Sequence, residues 1–218
     1  MFIGHYAVAL AAKKAAPKAS LGTLFLASQL VDLIWPILLL FGIEHVRVSP
    51  GNTVVTPLEF YDYPITHSLI GSLSWAVLLG AFYFYIKRDF RTSIILFLCV
   101  FSHWVLDFLT HKPDLPLTPS SDKFFGLGLW NSLSGTLVVE LGLFAIGAGI
   151  YFNFTKANDK SGNYGFWSLI ILLLLIYISN IFNTSPHDES LLPYLGLGGW
   201  LFIPWAYWID RHRKLKLK

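Results

Sequence analysis

The chain has 218 residues, of which 55% are hydrophobic, 17% aromatic and only 13% charged, with a net charge of +3. A soluble domain carries about 25% charged residues, and half that share leaves too little polar surface to cover a globule of this size. The composition therefore indicates an integral membrane protein and excludes disordered chains, fibrous repeats and nucleic-acid-binding modules. The single cysteine, Cys99, excludes an intrachain disulfide and a thiolate metal site.

The N-terminal segment, residues 2–12, is apolar but shorter than the roughly 20 residues that a span requires. Lys13 and Lys14 follow it and would hold its end at the cytoplasmic face. Two placements are open. A re-entrant half-helix buried in protein would raise His5 about 12 Å into the membrane, whereas an amphipathic helix would leave His5 at the membrane surface.

Five later segments are long and apolar enough to span a membrane, and a sixth is weaker because Gly196, Gly198, Gly199 and Pro204 loosen or kink it. The predicted fold class is therefore all-α, a polytopic transmembrane helical bundle with five to six spans and a short N-terminal half-helix. The predicted spans are residues 21–43, 65–86, 92–110, 127–152, 166–182 and 194–209. We expect one compact domain, in which residues 1–152 form a helical core and residues 153–218 add two accessory spans and a basic tail.

The basic residues predict the orientation. If the N-terminus faces the cytoplasm, all lysines and arginines except Arg47, Lys112 and Lys123 lie on the cytoplasmic side. This bias follows the positive-inside rule, so we expect both termini to be cytoplasmic and the protein to reside in the inner membrane. The basic C-terminal run, residues 211–218, then anchors the chain at anionic lipid headgroups.

Ionisable residues interrupt four of the apolar segments: Asp32 in the first span, His67 at the start of the second, His103 and Asp107 in the third, and Glu140 in the fourth. A carboxylate in mid-membrane costs roughly 2.5–3.5 kcal/mol, so three cost on the order of 8–10 kcal/mol without partners. The partners that the sequence offers are histidines. A bound metal ion would satisfy such a set of histidines and carboxylates.

Depth along the helices indicates that these side chains can meet. At about 1.5 Å per residue, Asp32 and His103 both lie about 17 Å from the cytoplasmic ends of their spans. Asp107 follows His103 by four residues and therefore faces the same way. His111 lies at the outer end of this helix, where it could be a ligand, support a ligand or contact substrate.

The motifs GHYAVALAA, LGTLFLASQLVD, THSL and HWVLDFLTH, followed by Glu140, resemble the YdjM-type family of membrane-bound metal-dependent hydrolases over about residues 1–151. That family in turn distantly resembles zinc-dependent phospholipase C and the zinc-dependent single-strand nucleases, whose zinc sites include a His-x-x-x-Asp pair. Because His111 is the one histidine available where the soluble enzymes have several, we expect one or two ions. The resemblance implies six metal-site positions: His5, Asp32, His67, His103, Asp107 and Glu140.

Histidines with carboxylates suit zinc better than magnesium, which prefers oxygen ligands. The predicted function is a zinc phosphoesterase acting on a phospholipid-like or other phosphoester from the outer half of the membrane. Asp32 or Asp107 could bridge two ions, and Asp32 or Glu140 could act as general base. Arg47 and Lys112, in the outer connections, could steer a phosphate, although solvated loop charges are the commoner explanation.

Two other classes stay open. The same buried acids and histidines could carry protons or a divalent metal in a transporter, which would need polar residues continuing to the cytoplasmic side. A membrane scaffold with a structural metal would bind the ion tightly and have no activity. Oligomeric state is not predicted by the sequence.

Overall fold

Helix α2, Leu21–Leu40, begins where the side chain of Ser20 accepts a hydrogen bond from the backbone N–H of Thr23. A serine in this position satisfies one of the free N–H groups at a helix start.

The computed structural model describes residues 1–182 and 188–216. Within them, five helices are long and apolar enough to cross a membrane, which confirms the predicted helical bundle. These are α2, α4 (Leu69–Lys87), α5 (Phe90–Thr110), α6 (Leu133–Phe154) and α7 (Lys160–Phe182).

Helix α1, Ile3–Ala15, is short and lies inside the bundle, packed against α2, α5 and α6. Ile3, Ala9 and Leu10 have no exposed surface. Of the two placements open from the sequence, the structure therefore has the buried one. The C-terminal end of α1 is fixed by Lys13, whose ammonium group bonds Asp210 at 2.9 Å and the carbonyl of Ala19 at 2.7 Å.

The second predicted span, residues 65–86, is divided at Ser68. A four-residue helix, α3 (Pro64–His67), precedes α4, and Ser68 between them has an extended backbone and caps α4 through Gly71. Because the serine starts a new helix, His67 stands on α3 rather than within the span. The fourth span likewise starts later than predicted, at Leu133, after a short 3-10 turn over Leu129–Asn131.

The weak sixth segment is broken, as its glycines predicted. It consists of α8 (Leu192–Leu197), a 3-10 turn over Gly198–Leu201 and α9 (Phe202–Arg211), and it is not among the long apolar helices of the described residues. Helices α8 and α9 both pack against α2. The C-terminal residues thus support the helix that carries Asp32.

Three short antiparallel strand pairs complete the fold. Strands β1 (His45–Val48) and β2 (Leu58–Asp62) form a hairpin, and β3 (Leu115–Pro116) pairs with β4 (Phe124–Phe125) near the same end of the bundle. At the other end, β5 (Thr155–Ala157) pairs with β6 (Arg213–Leu215). Arg213 of the basic C-terminal run is buried and donates to Thr155, so this part of the run is packed against the protein.

Candidate metal centre

Four helices bring the predicted side chains together. His5 comes from α1, Asp32 from α2, His67 from α3, and His103 and Asp107 from α5. All except Asp32 are at most 5% exposed, whereas the Asp32 side chain is 36% exposed. The cluster contains two groups of three donors, His5 with His103 and Asp107, and Asp32 with His67 and His103, in each of which the donor atoms lie within 4.8 Å of one another. His103 belongs to both groups.

The distances between donor atoms match those of a metal site. His103 Nε2 lies 3.2 Å from Asp107 Oδ2 and 3.4 Å from Asp32 Oδ1, and His67 Nε2 lies 3.4 Å from the same Asp32 oxygen. A tetrahedral zinc ion with bonds of about 2.0–2.1 Å places its ligand atoms about 3.3 Å apart. The side chains therefore stand at the separation that a shared ion would impose.

The hydrogen bonds of His103 leave one nitrogen free for a metal. Its Nδ1 lies 2.9 Å from the backbone oxygen of Ser28. A carbonyl oxygen can only accept, so Nδ1 donates and the neutral ring keeps its lone pair on Nε2. This buried atom has no hydrogen-bond partner among the described residues. A lone pair that faces two carboxylates is unfavourable unless a cation lies between them, so the donor set fits a metal ion.

His111 is also oriented toward the cluster, although neither donor group includes it. Its Nδ1 bonds Asp114 at 3.0 Å, and its Nε2 lies 3.9 Å from Asp107 Oδ1. Tyr63 donates to the same Asp114 carboxylate at 2.8 Å. Burial, together with the neighbouring charge of Asp114, raises the pKa of Tyr63 well above its usual range. The phenol therefore stays a hydrogen donor and fixes the carboxylate that orients His111.

At the N-terminal side of the cluster, Asp107 has a cationic partner that the sequence did not predict. The amino group of Met1 donates to Asp107 Oδ1 at 2.5 Å, and His5 Nε2 lies 3.1 Å from the same oxygen. The other nitrogen of His5, Nδ1, is buried without a partner among the described residues. The amino group of Met1, just before α1, and His5, on α1, thus meet at the same carboxylate oxygen.

Glu140 lies beside the cluster, where its carboxylate caps the start of α1. Its carboxylate accepts the backbone N–H of Phe2 at 2.9 Å, one of the N–H groups that are free at the start of α1. It belongs to neither group of three donors. In this structure Glu140 caps a helix, and its predicted action as ligand or general base stays a prediction.

The two predicted phosphate-steering residues lie on the outer connections and already have partners. Arg47 forms a two-point hydrogen bond with Glu59 across the exposed β1–β2 hairpin, at 2.7 and 3.0 Å. The ammonium group of Lys112 bonds the side chain of Asn52. Their contact with substrate stays a prediction.

Several residues that support the site were missed from the sequence: Glu44, Thr66, Tyr63 and Asp114. All are at most 9% exposed. Two local signals were available, because Thr66 precedes His67 directly and Asp114 follows His111 by three residues. Glu44 lies 22 residues before Thr66, through which it acts on His67, and Tyr63 lies 48 residues before His111, so only the fold reveals these two contacts.

Aromatic rings enclose the outer side of the cluster. Phe60 of β2 lies 5.6 Å from Trp35, 5.0 Å from His111 and 6.3 Å from Trp130, measured between ring centroids. The hairpin that carries Phe60 therefore covers the histidines at the end of the bundle where the strands β1–β4 lie. The connection of residues 44–64 is therefore in contact with His111.

The family model of the YdjM inner membrane protein matches residues 1–185 of the chain. The match includes α1–α7 and every residue of the cluster. Comparison with curated proteins and comparison with solved structures give no match. With its five apolar helices, the protein is an integral protein of the inner membrane. Because the family model covers most of its length, the chain belongs to the YdjM inner membrane protein family.

Proposed function

We propose that the protein is a membrane-embedded, metal-dependent hydrolase, a phosphoesterase that uses zinc or a similar divalent ion. One observation carries the proposal: two overlapping groups of histidine and aspartate share His103 and have the donor separations of a metal site. The residues that would hold the ions are His5, Asp32, His67, His103 and Asp107. When bound, such an ion acts as a Lewis acid toward a phosphoryl oxygen and lowers the pKa of a bound water to about 7.

The chain's own residues have distinct roles in this proposal. His103 and Asp107, one turn apart on α5, form the fixed part of the site, since both are 1% exposed. Asp32 is the most exposed member, and among the described residues its ionic contacts to His67 and His103 both involve Oδ1. Its Oδ2 atom can therefore accept a proton from the attacking water, as a general base does.

The substrate belongs to the outer half of the membrane in this proposal. The cluster occupies the half of the bundle opposite the lysines of α1, and the positive-inside rule places those lysines in the cytoplasm. A phosphoester is the expected electrophile because its charged oxygens complement divalent ions. Lipid phosphoesters are the ones that a site within the membrane reaches most directly.

A transport function receives less support. Between Ser93, near the basic end of α5, and His103 lies about 15 Å of helix. The buried side chains of α5 along it are Leu96, Cys99 and Val100. A proton or metal pathway needs polar groups along its length, and these three buried side chains carry neither a charge nor a hydroxyl group.

The test is the metal content of detergent-purified protein, measured by mass spectrometry without chelators. The purification tag is placed at the C-terminus, because the amino group of Met1 lies in the cluster. We expect one or two equivalents of zinc or a similar ion in the wild type and none in a folded His103→Ala, Asp107→Ala double variant. The wild type and the double variant are then incubated with vesicles of phosphatidylcholine and phosphatidylglycerol, and the release of a phosphorylated headgroup is measured for each.

The control is His45→Ala, which changes an exposed histidine of β1 that bonds Asp62 on the hairpin. It should keep its metal and its activity. A wild type without metal would refute the hydrolase, and proton-coupled transport would become the leading interpretation. A metal that resists exchange, with no hydrolysis of any phosphoester, would favour the scaffold.

A further inference from the structure

Glu44 is a buried carboxylate placed just before β1, in a connection rather than in a span. It is 1% exposed. Its Oε1 atom accepts the backbone N–H groups of Ile65 at 2.7 Å and Thr66 at 2.8 Å, and its Oε2 atom accepts the hydroxyl hydrogen of Thr66 at 2.6 Å. Glu44 thus caps α3, whose N-cap residue, Tyr63, makes no side-chain cap.

The hydroxyl group of Thr66 connects this carboxylate to His67. Thr66 Oγ1 lies 2.7 Å from His67 Nδ1. A threonine hydroxyl has one hydrogen, and here it points to Glu44, because a carboxylate can only accept. The bond between Thr66 and His67 must therefore be donated by Nδ1 of the histidine. A neutral ring held in this way keeps its lone pair on Nε2.

That lone pair points into the cluster. His67 Nε2 lies 3.4 Å from Asp32 Oδ1 and 3.9 Å from Asp107 Oδ2. We propose that Glu44 and Thr66 are positioning residues, which hold His67 in the tautomer with hydrogen on Nδ1 and so present Nε2 to a metal ion. The metal part of this inference rests on the proposed function, whereas the tautomer does not.

The relay differs from the hydrogen bonds that hold His103 and His111. His103 is held by the backbone carbonyl of Ser28, and His111 by the carboxylate of Asp114 three residues away. His67 is held through a hydroxyl that depends on Glu44, a residue of the connection that leads into the β1–β2 hairpin. The position of that connection is therefore coupled to the orientation of one histidine of the site.

Two substitutions test the relay in opposite ways. Thr66→Val keeps the shape of the side chain and removes the hydroxyl, so His67 loses its fixed tautomer. In Glu44→Gln, the amide oxygen can still accept the two backbone N–H groups, while the amide NH₂ donates to Thr66 Oγ1. The threonine hydrogen then turns toward His67, and the ring should change to the tautomer with hydrogen on Nε2. Thr66→Ser retains the hydroxyl, so His67 should keep the wild-type tautomer.

The first readout is ¹⁵N NMR of histidine-labelled, metal-free protein in detergent, recorded at alkaline pH so that the imidazole rings are neutral, with His67 assigned from a His67→Gln spectrum. We expect hydrogen on Nδ1 in the wild type and in Thr66→Ser, a mixture in Thr66→Val and hydrogen on Nε2 in Glu44→Gln. The second readout is zinc affinity by chelator competition. Loss of a hydrogen bond to a metal-binding histidine lowers affinity about 10- to 100-fold, and we expect that loss in Thr66→Val and Glu44→Gln.

The matched control is Thr136→Val, another fully buried threonine, which donates its hydroxyl hydrogen to the backbone oxygen of Leu129. It should leave the tautomer and the zinc affinity unchanged. If Thr66→Val does not fold, Glu44→Gln and Thr66→Ser carry the test. An unchanged His67 tautomer in the folded variants would overturn the relay. A wild type that binds no zinc but shows the expected tautomers would instead overturn the proposed function and leave the relay standing.

Discussion

The imidazole rings of His5 and His103 stack face to face, with ring centroids 3.6 Å apart and planes inclined by 4°. One ring belongs to α1 and the other to α5, so the stack fixes the short buried helix against the span that carries Asp107. Two charged rings at this distance would repel strongly. The stack therefore favours at least one neutral imidazole, which is the form that binds metal.

We expect substitutions of single histidines to remove different ions, because His5 and His67 belong to different donor groups while His103 belongs to both. If the wild type holds two equivalents, His5→Phe and His67→Gln should each retain one, and His103→Ala none. Phenylalanine at position 5 keeps a flat ring against His103. The measurement is metal content per folded protein, with His45→Ala as the control.

The pattern would be contradicted if His5→Phe and His103→Ala lost the same number of ions. That result would mean that the two groups hold one shared ion. If the wild type holds a single ion that His5→Phe retains and His67→Gln loses, that ion belongs to the group of Asp32, His67 and His103.

The sequence predicted much of this centre because buried charge in a membrane is costly enough to be informative. His67, His103, Asp107 and Asp32 interrupt otherwise apolar segments, and helix rise alone placed His103 and Asp32 at one depth. Polar residues in connections carry no such signal. Glu44 and Asp114 look like ordinary loop carboxylates, and only the fold shows that they are buried.

The fold was predicted well where length and hydropathy decide it and less well at helix ends. The sequence prediction placed His67 inside the second span, because the apolar pattern is continuous there. In the structure a new helix begins after Ser68, whose hydroxyl oxygen accepts the backbone N–H of Gly71. The burial of α1 was left open because thirteen residues with two terminal lysines fit either placement. Packing against α2, α5 and α6 decided it.

Glu140→Gln separates helix capping from metal binding. The carboxylate accepts the backbone N–H of Phe2 at the start of α1, where negative charge is favoured by the helix dipole. Removing the charge should lower the free energy of unfolding by about 1 kcal/mol, with the metal content unchanged. The free energy of unfolding is measured by titration from a mild to a harsh detergent. The metal content of the same sample is measured by mass spectrometry. Loss of an ion in folded Glu140→Gln would instead support the predicted role as ligand.

The pKa of Tyr63 should respond to Asp114. Burial and the adjacent carboxylate both raise it, so Asp114→Asn should lower it by removing the negative charge, while burial keeps it above the usual range. Ultraviolet difference titration detects the phenolate, and subtracting the spectrum of an Asp114→Asn, Tyr63→Phe double variant isolates this tyrosine from the other nine. An unchanged titration in Asp114→Asn would show that the carboxylate does not govern the phenol.

The buried pair of Lys13 and Asp210 should hold α1 at its depth in the bundle. Their side chains are 6% and 17% exposed, and their charged atoms lie 2.9 Å apart. Removing one partner of such a pair strands the other, which costs about 3–5 kcal/mol in a fully buried site. We expect Asp210→Asn to cost about 3 kcal/mol, because its carboxylate is partly exposed.

The double variant Lys13→Met, Asp210→Asn should recover part of this loss, since neither charge is then left alone. A cycle of the four proteins, unfolded in the same detergent series, gives the coupling energy. Because α1 also carries His5, Asp210→Asn should weaken metal binding although Asp210 lies at the opposite end of the bundle. Lys18, which is 80% exposed and 3.6 Å from Asp89, provides the control: Lys18→Met should change neither stability nor metal content. Equal metal affinity in Asp210→Asn and in the wild type would show that the position of α1 does not depend on this pair.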